Sequence, residues 1–329
     1  MLLDKLPRIR LGMLPTPLIE ASHLSAVLGG PRIFIKRDDL TGLGLGGNKI
    51  RKLEFLMADA KAKGADTIIT TGGSQSNHAL QTAAVARQLG MDVLLILGRG
   101  IHPEMQGNQL LNKLLDAKVR IIENTLMDKI DEVLNSAAEE LRQRGHKPYI
   151  IPMGGTTPLG DVGYVNAALE IYQQLKDQGV DIQHIFVTDG TGGTHAGLVV
   201  GIKYLEMPCQ LIGISVSRNK DRLKSVVAGH AHEVVKLLGM EPSFSPDDIT
   251  VYDDYIGEGY GIITDGCVEA IKLVAQTEGI FLDPVYTGKT MAGLIDFVRK
   301  GRLSSEDTVI FMHTGGQAAL FVYADELVR

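Results

Sequence analysis

At 329 residues, 44% of them apolar and 22% charged, the chain is long enough for two hydrophobic cores and ordinary in composition for a globular protein. The net charge of −6 gives no basic surface for nucleic acid, and no apolar run is long enough to span a bilayer, so neither a nucleic-acid nor a membrane partner is expected. Cys209 and Cys267 lie far apart and make no metal or disulfide framework, and the opening Met1-Leu2-Leu3-Asp4-Lys5 lacks a leader's basic-then-apolar order, so a cytoplasmic protein without a metal is expected.

In chain order, strand-like and helix-like segments alternate. Arg32-Ile33-Phe34-Ile35-Lys36-Arg37-Asp38-Asp39 reads as a strand that ends in charge. The turn Gly46-Gly47 then delivers Asn48-Lys49 to an amphipathic helix, with Ile50, Leu53, Leu56 and Met57 at helical spacing. A lysine at such a junction can reach into a cleft, where burial makes its amine a usable nucleophile; a solvated lysine is the plain alternative. Thr67-Ile68-Ile69-Thr70 predicts a short strand and 77–89 a helix that stops at Gly90. Asp92-Val93-Leu94-Leu95-Ile96-Leu97 reads as a buried strand, 106–116 as a helix and Val119-Arg120-Ile121-Ile122 as a strand. Ile130, Val133, Leu134, Ala137 and Leu141 share one face of a helix over 128–144 that ends at Gly145, before the strand Tyr149-Ile150-Ile151. A second set follows the loop 153–160: helices over 164–175, 223–238, 267–276 and 291–299, and strands His184-Ile185-Phe186-Val187, Leu211-Ile212-Gly213-Ile214-Ser215-Val216 and Thr308-Val309-Ile310-Phe311-Met312. Apolar runs with little polar alternation predict parallel sheets covered on both faces, in two doubly wound α/β layers that meet at a cleft.

Four polar or glycine-rich segments carry candidate chemistry. Gly72-Gly73-Ser74-Gln75-Ser76-Asn77-His78 offers hydroxyls, an amide and a helix N-terminus to an anion such as a carboxylate; the same pattern also suits a plain helix cap. Asp189-Gly190-Thr191-Gly192-Gly193-Thr194 lets the backbone approach a phosphate, with the next helix dipole favouring negative charge. It matches a dinucleotide fingerprint only loosely. No acid ends the next strand, although Arg218 there suits NADP, and an isolated phosphate monoester fits better. Tyr255-Ile256-Gly257-Glu258-Gly259-Tyr260-Gly261 surrounds a tyrosine with glycines, and Asp283-Pro284-Val285-Tyr286-Thr287 pairs with Met312-His313-Thr314-Gly315-Gly316. Singly, both tyrosines also read as packed aromatics.

Taken together, Leu14-Pro15-Thr16-Pro17-Leu18, Ile35-Lys36-Arg37-Asp38-Asp39-Leu40-Thr41-Gly42, Gly46-Gly47-Asn48-Lys49, Gln75-Ser76-Asn77-His78 and Asp283-Pro284-Val285-Tyr286 carry a resemblance over essentially the whole chain. The chain resembles the fold type II pyridoxal-phosphate enzymes (tryptophan synthase β-like), in the group that holds 1-aminocyclopropane-1-carboxylate deaminase and D-cysteine desulfhydrase. The resemblance implies two open twisted sheets with pyridoxal 5'-phosphate in the cleft between them. It also implies a small α/β domain, 48–152, inserted into a large cofactor-binding domain of 1–47 and 153–329, and a homodimer. Carried over by residue, Lys49 would hold the cofactor as a Schiff base and Asn77 would bond its ring oxygen. Gly190, Thr191, Gly192, Gly193 and Thr194 would cradle the phosphate, and Thr287 and Thr314 would face the pyridine nitrogen. Ser76, Asn77 and His78 would receive the carboxylate of a small amino-acid substrate, with Tyr260 and Tyr286 at the reacting carbons. Lys49, Ser76, Tyr260 and Tyr286 form the implied catalytic set. Asp189 stands where the family pattern has a small residue, and its carboxylate would have to point away from a bound phosphate.

The cyclopropane deaminases have Glu and Leu where this chain has Thr287 and Thr314. A threonine hydroxyl suits a neutral ring nitrogen and a weaker electron sink, which favours the desulfhydrase branch. The expected reaction is β-elimination of D-cysteine to pyruvate, hydrogen sulfide and ammonia, with Lys49 as α-proton base. L-cysteate sulfo-lyase is the close alternative, followed by cyclopropane deaminase and amino-acid racemase. An NADP-dependent or non-catalytic binding protein represents a different class. A missing lysine or a broken phosphate loop would mark the non-catalytic form, and neither is seen.

Overall fold

The computed structural model describes residues 2–102, 104–241 and 243–328. Among the described residues, ten strands form two sheets: β1 Leu18–Glu20, β2 Arg32–Lys36, β3 Thr67–Gly73, β4 Asp92–Gly98, β5 Lys118–Ile122, β6 Pro148–Ile151, β7 His184–Asp189, β8 Gln210–Ser215, β9 Thr250–Tyr252 and β10 Thr308–Met312. The six-stranded sheet has the order β1-β2-β10-β7-β8-β9, and the four-stranded sheet β5-β4-β3-β6. All pairs are parallel except β1 with β2. Parallel neighbours need crossover connections, which the helices supply.

Alternation along each central strand divides its side chains between two cores. In β10, Val309 and Phe311 join the core under the helices Asp265–Glu278 and Thr287–Arg299. Ile310 and Met312 join the opposite core, under Pro158–Gln178 and Gly193–Tyr204. The four-stranded sheet repeats this arrangement. Ile68, Val93 and Leu95 pack on the helices Lys49–Ala62 and Asn77–Gln88, while Ile69 and Ile96 pack on Ile130–Gln143. Burial on both faces explains the apolar runs, and the expected α/β class with two open sheets is observed. Strands β1 and β9 add edges that the sequence reading lacks. Among the described residues, no helix is long and apolar enough to cross a membrane.

Candidate active site

A cleft of about 440 Å³ opens at the C-terminal ends of β3, β4, β7 and β10, where the loops of both sheets converge. Lys49, Ser76, Asn77, Thr191, Tyr260 and Tyr286 are among its lining residues.

Lys49 is the first residue of its helix, and the turn before it is tightly built. Gly46 and Gly47 have φ of 75° and 133°, and a Cβ at Gly46 would overlap the Asp39 carbonyl. The Thr41 hydroxyl accepts from Gly47 N at 2.7 Å and donates to Gly47 O at 2.9 Å. Asn48 N donates to Thr314 O at 3.0 Å, and Asn48 Nδ2 to Thr194 Oγ1 at 3.1 Å, joining the lysine turn to two other loops of the site. Desolvation, and then the charge of Lys52, bring the Lys49 amine down to about 7, against opposing pulls from Asp161 and Asp189. Near neutral pH this lysine is available as a free base.

Residues 190–194 fit a phosphate monoester. They turn from β7 into the helix Gly193–Tyr204, whose first N–H groups face the turn. A Cβ at Gly193 would overlap the Asp161 carboxylate and Lys52 Nζ, so only glycine lets these groups lie against the loop. Lys52 is fully buried, donating to Asp161 Oδ1 at 2.8 Å and Thr156 Oγ1 at 3.2 Å, and the Thr156 hydroxyl meets that of Thr191 at 2.6 Å. A glycine-rich cradle carrying two threonine hydroxyls, a helix N-terminus and a nearby lysine make a donor set suited to a dianion. The Asp189 carboxylate is turned onto buried His195 Nδ1 at 2.5 Å, which answers the concern about its charge.

Ser76 caps the helix Asn77–Gln88, accepting from Ala79 N at 3.2 Å. Asn77 Oδ1 accepts from Asn108 Nδ2 at 2.7 Å, which leaves the Asn77 amide nitrogen as the free end of that side chain. His78 lines the cleft, but its Nε2 is bonded to Thr70 Oγ1 at 2.8 Å. Burial, then Lys49 and Lys52, hold its pKa well below the ordinary histidine value, so it brings no positive charge to a carboxylate.

Thr287 departs from expectation. It is fully buried away from the cleft, and its hydroxyl donates to Asp283 Oδ1 at 2.6 Å while accepting from Asp283 N at 2.7 Å. It opens a helix, where a hydroxyl and a preceding carboxylate satisfy each other and the loose N–H groups. Asp283 also accepts from the N–H groups of Val285, Tyr286 and Thr287. Thr314 does line the cleft. Tyr260 and Tyr286 are joined hydroxyl to hydroxyl. Desolvation raises both phenols, Tyr286 well above the ordinary value, while their mutual hydrogen bond lowers Tyr260, making it the readier acid.

Tyr323 lines the cleft without a motif, while Lys52 and Asn108 stand behind the cleft, bonded to Thr156 and Asp161 and to Asn77. Lys52 had a signal in its spacing, one helical turn from Lys49 on the same face.

The match of this chain to a family model described as pyridoxal-phosphate dependent enzyme runs over residues 9–315. A D-cysteine desulfhydrase of Klebsiella pneumoniae (strain 342) is 46% identical over 331 residues, covering 99% of this chain and 98% of its own. One of Salmonella typhi is 44% identical over 326 residues, covering 98% and 97%. A crystal structure described as that of an ACC deaminase homologue has a TM-score of 0.91 at 42% identity, over 99% of this chain and 97% of that one.

Proposed function

The chain belongs to the pyridoxal-phosphate dependent enzyme family, and from that premise we propose that it eliminates sulfide from D-cysteine, giving pyruvate, hydrogen sulfide and ammonia. The observation that carries this reading is a lysine amine held near 7 in the same cleft as a hydroxyl-bonded tyrosine pair. One group removes a proton and the other supplies one, as β-elimination requires. Identity of 44–46% to D-cysteine desulfhydrases over nearly the full length supports the same choice.

Lys49 would hold the cofactor, the loop 190–194 with Lys52 its phosphate, Asn77 its ring oxygen and Thr314 its ring nitrogen. The bound cofactor supplies the electron sink that makes an amino-acid α-proton removable. The Ser76 hydroxyl and the N-terminus of the helix Asn77–Gln88 receive the substrate carboxylate, fixing the amino acid between base and acid. Lys49 Nζ takes the α-proton. Tyr260 gives its proton to the departing sulfur, and Tyr286, hydrogen-bonded to it, steadies the phenolate that remains. Aminoacrylate released from the site hydrolyses to pyruvate and ammonia. With Thr287 committed to Asp283, the preference for elimination over ring opening rests on Thr314, a hydroxyl rather than a carboxylate.

The same reading includes a division into residues 1–47 with 153–329 and 48–152, a homodimer and a cytoplasmic setting. Incubation with D-cysteine, L-cysteine, L-cysteate, D-serine and aminocyclopropane carboxylate tests the reaction. Sulfide with equal pyruvate from D-cysteine is expected. Dominant 2-oxobutyrate from the cyclopropane, or sulfite from L-cysteate, would overturn the assignment.

A further inference from the structure

Residues 253–264, which carry Tyr260, contain no helix or strand. Tyr260 itself is 48% exposed as a whole residue, so packing alone does not hold its backbone in place. Two side chains from elsewhere grip the backbone on either side of it. Buried Lys289 donates from Nζ to Ile256 O at 2.6 Å and to Gly259 O at 3.1 Å. Buried Tyr323 donates its hydroxyl to Gly261 O at 2.5 Å. The carbonyls immediately before and after Tyr260 are therefore both held. The ring of Tyr323 is itself fixed, edge-on to His102 with centroids 4.5 Å apart; His102 stands in the loop after β4 of the other sheet.

We propose that Tyr323 and Lys289 form a clamp that positions Tyr260 to protonate the leaving sulfur. The inference rests on the elimination reading above. During turnover the Cα–H bond gives its proton to Lys49, and its electron pair becomes the Cα=Cβ bond. As the Cβ–S bond breaks and leaves its pair on sulfur, the departing SH takes the Tyr260 proton in the same step and leaves as H₂S. A displaced Tyr260 therefore slows the C–S cleavage step and leaves α-proton removal by Lys49 unchanged. Tyr323 and Lys289 are positioning residues: the hydroxyl and the amine act through the backbone carbonyls they hold.

The test compares two substrates in the cofactor-loaded enzyme. In D-cysteine the leaving sulfur is helped by a proton donor; in β-chloro-D-alanine the departing chloride, the anion of a strong acid, gains nothing from one. Tyr323→Phe keeps the ring against His102 and removes only the grip on Gly261. It is expected to lower kcat for D-cysteine about five- to ten-fold, with KM, cofactor absorbance and Tm unchanged. Its kcat for β-chloro-D-alanine should match wild type. Lys289→Met, which releases the other side, should show the same substrate split. Equal losses on both substrates, or no loss on D-cysteine, would overturn the clamp while leaving the elimination reading intact. A wild-type enzyme that releases no sulfide from D-cysteine would overturn both.

Discussion

The Lys49 amine is tuned by neighbours that can be altered one at a time. Burial removes the water that would stabilise its charge, and Lys52 adds a repelling cation one helical turn away. A base whose pKa is lowered loses its proton at lower pH, so the nucleophilic form dominates above about 7. Cofactor-free protein mixed with pyridoxal phosphate should therefore acquire absorbance at a rate that rises with pH around a midpoint near 7. A midpoint near the free-lysine value of ~10.4 would contradict the burial argument. Lys52→Met removes the repulsion and leaves Asp161 without its cation. Both changes favour a charged Lys49, so the midpoint should move upward.

At the scale of the element, the phosphate turn makes the sharper case. Gly193→Ala would drive a methyl into the Lys52–Asp161 pair, so either the pair or the first turn of the helix must shift. Cofactor affinity is expected to fall on the order of ten-fold or more, read by fluorescence titration, with far-UV circular dichroism unchanged. This turn was legible in the sequence because glycines between a strand and a helix announce a close approach. The central parallel strands were legible for a related reason, since burial on both faces leaves unbroken apolar runs. Leu18–Glu20 and Thr250–Tyr252 were not, because three-residue edge strands are too short for a pattern. The four-residue helices Ala319–Val322 and Ala324–Leu327 escaped for the same reason, and Tyr323 with them. Thr287 was misread because adjacency to Tyr286 in sequence says nothing about direction: one residue into the helix, its hydroxyl turns back to Asp283.

Over the whole molecule, the helix that carries Lys49 is tied to the six-stranded unit by buried charge. Arg51 donates from Nε and Nη2 to Asp38 at 2.9 and 2.7 Å, and to both oxygens of Glu170 at 3.0 and 2.8 Å. Tyr164 donates to Asp38, and Lys36 to Glu170, each at 2.5 Å. Burial opposes the charges, yet Arg51 holds the Asp38 and Glu170 pKa values below the ordinary carboxylate range. Truncating one partner strands the others, at a cost of roughly 3–5 kcal/mol in comparable buried pairs. Arg51→Met should lower urea stability at pH 7 by about that amount. A carboxylate whose pKa is depressed by folding stabilises above its unfolded value and loses that contribution as pH falls through the folded value. Wild type should therefore lose this contribution below about pH 4. In Arg51→Met the same carboxyls lose their main cation and keep only Lys36, so burial shifts their pKa upward relative to wild type. They lose less on protonation than wild type does, so the gap between the two proteins should narrow on acidification. Urea unfolding of both at pH 7 and again near pH 4 measures that gap. A gap independent of pH would place the stabilisation in packing by the Arg51 stem rather than in its charge.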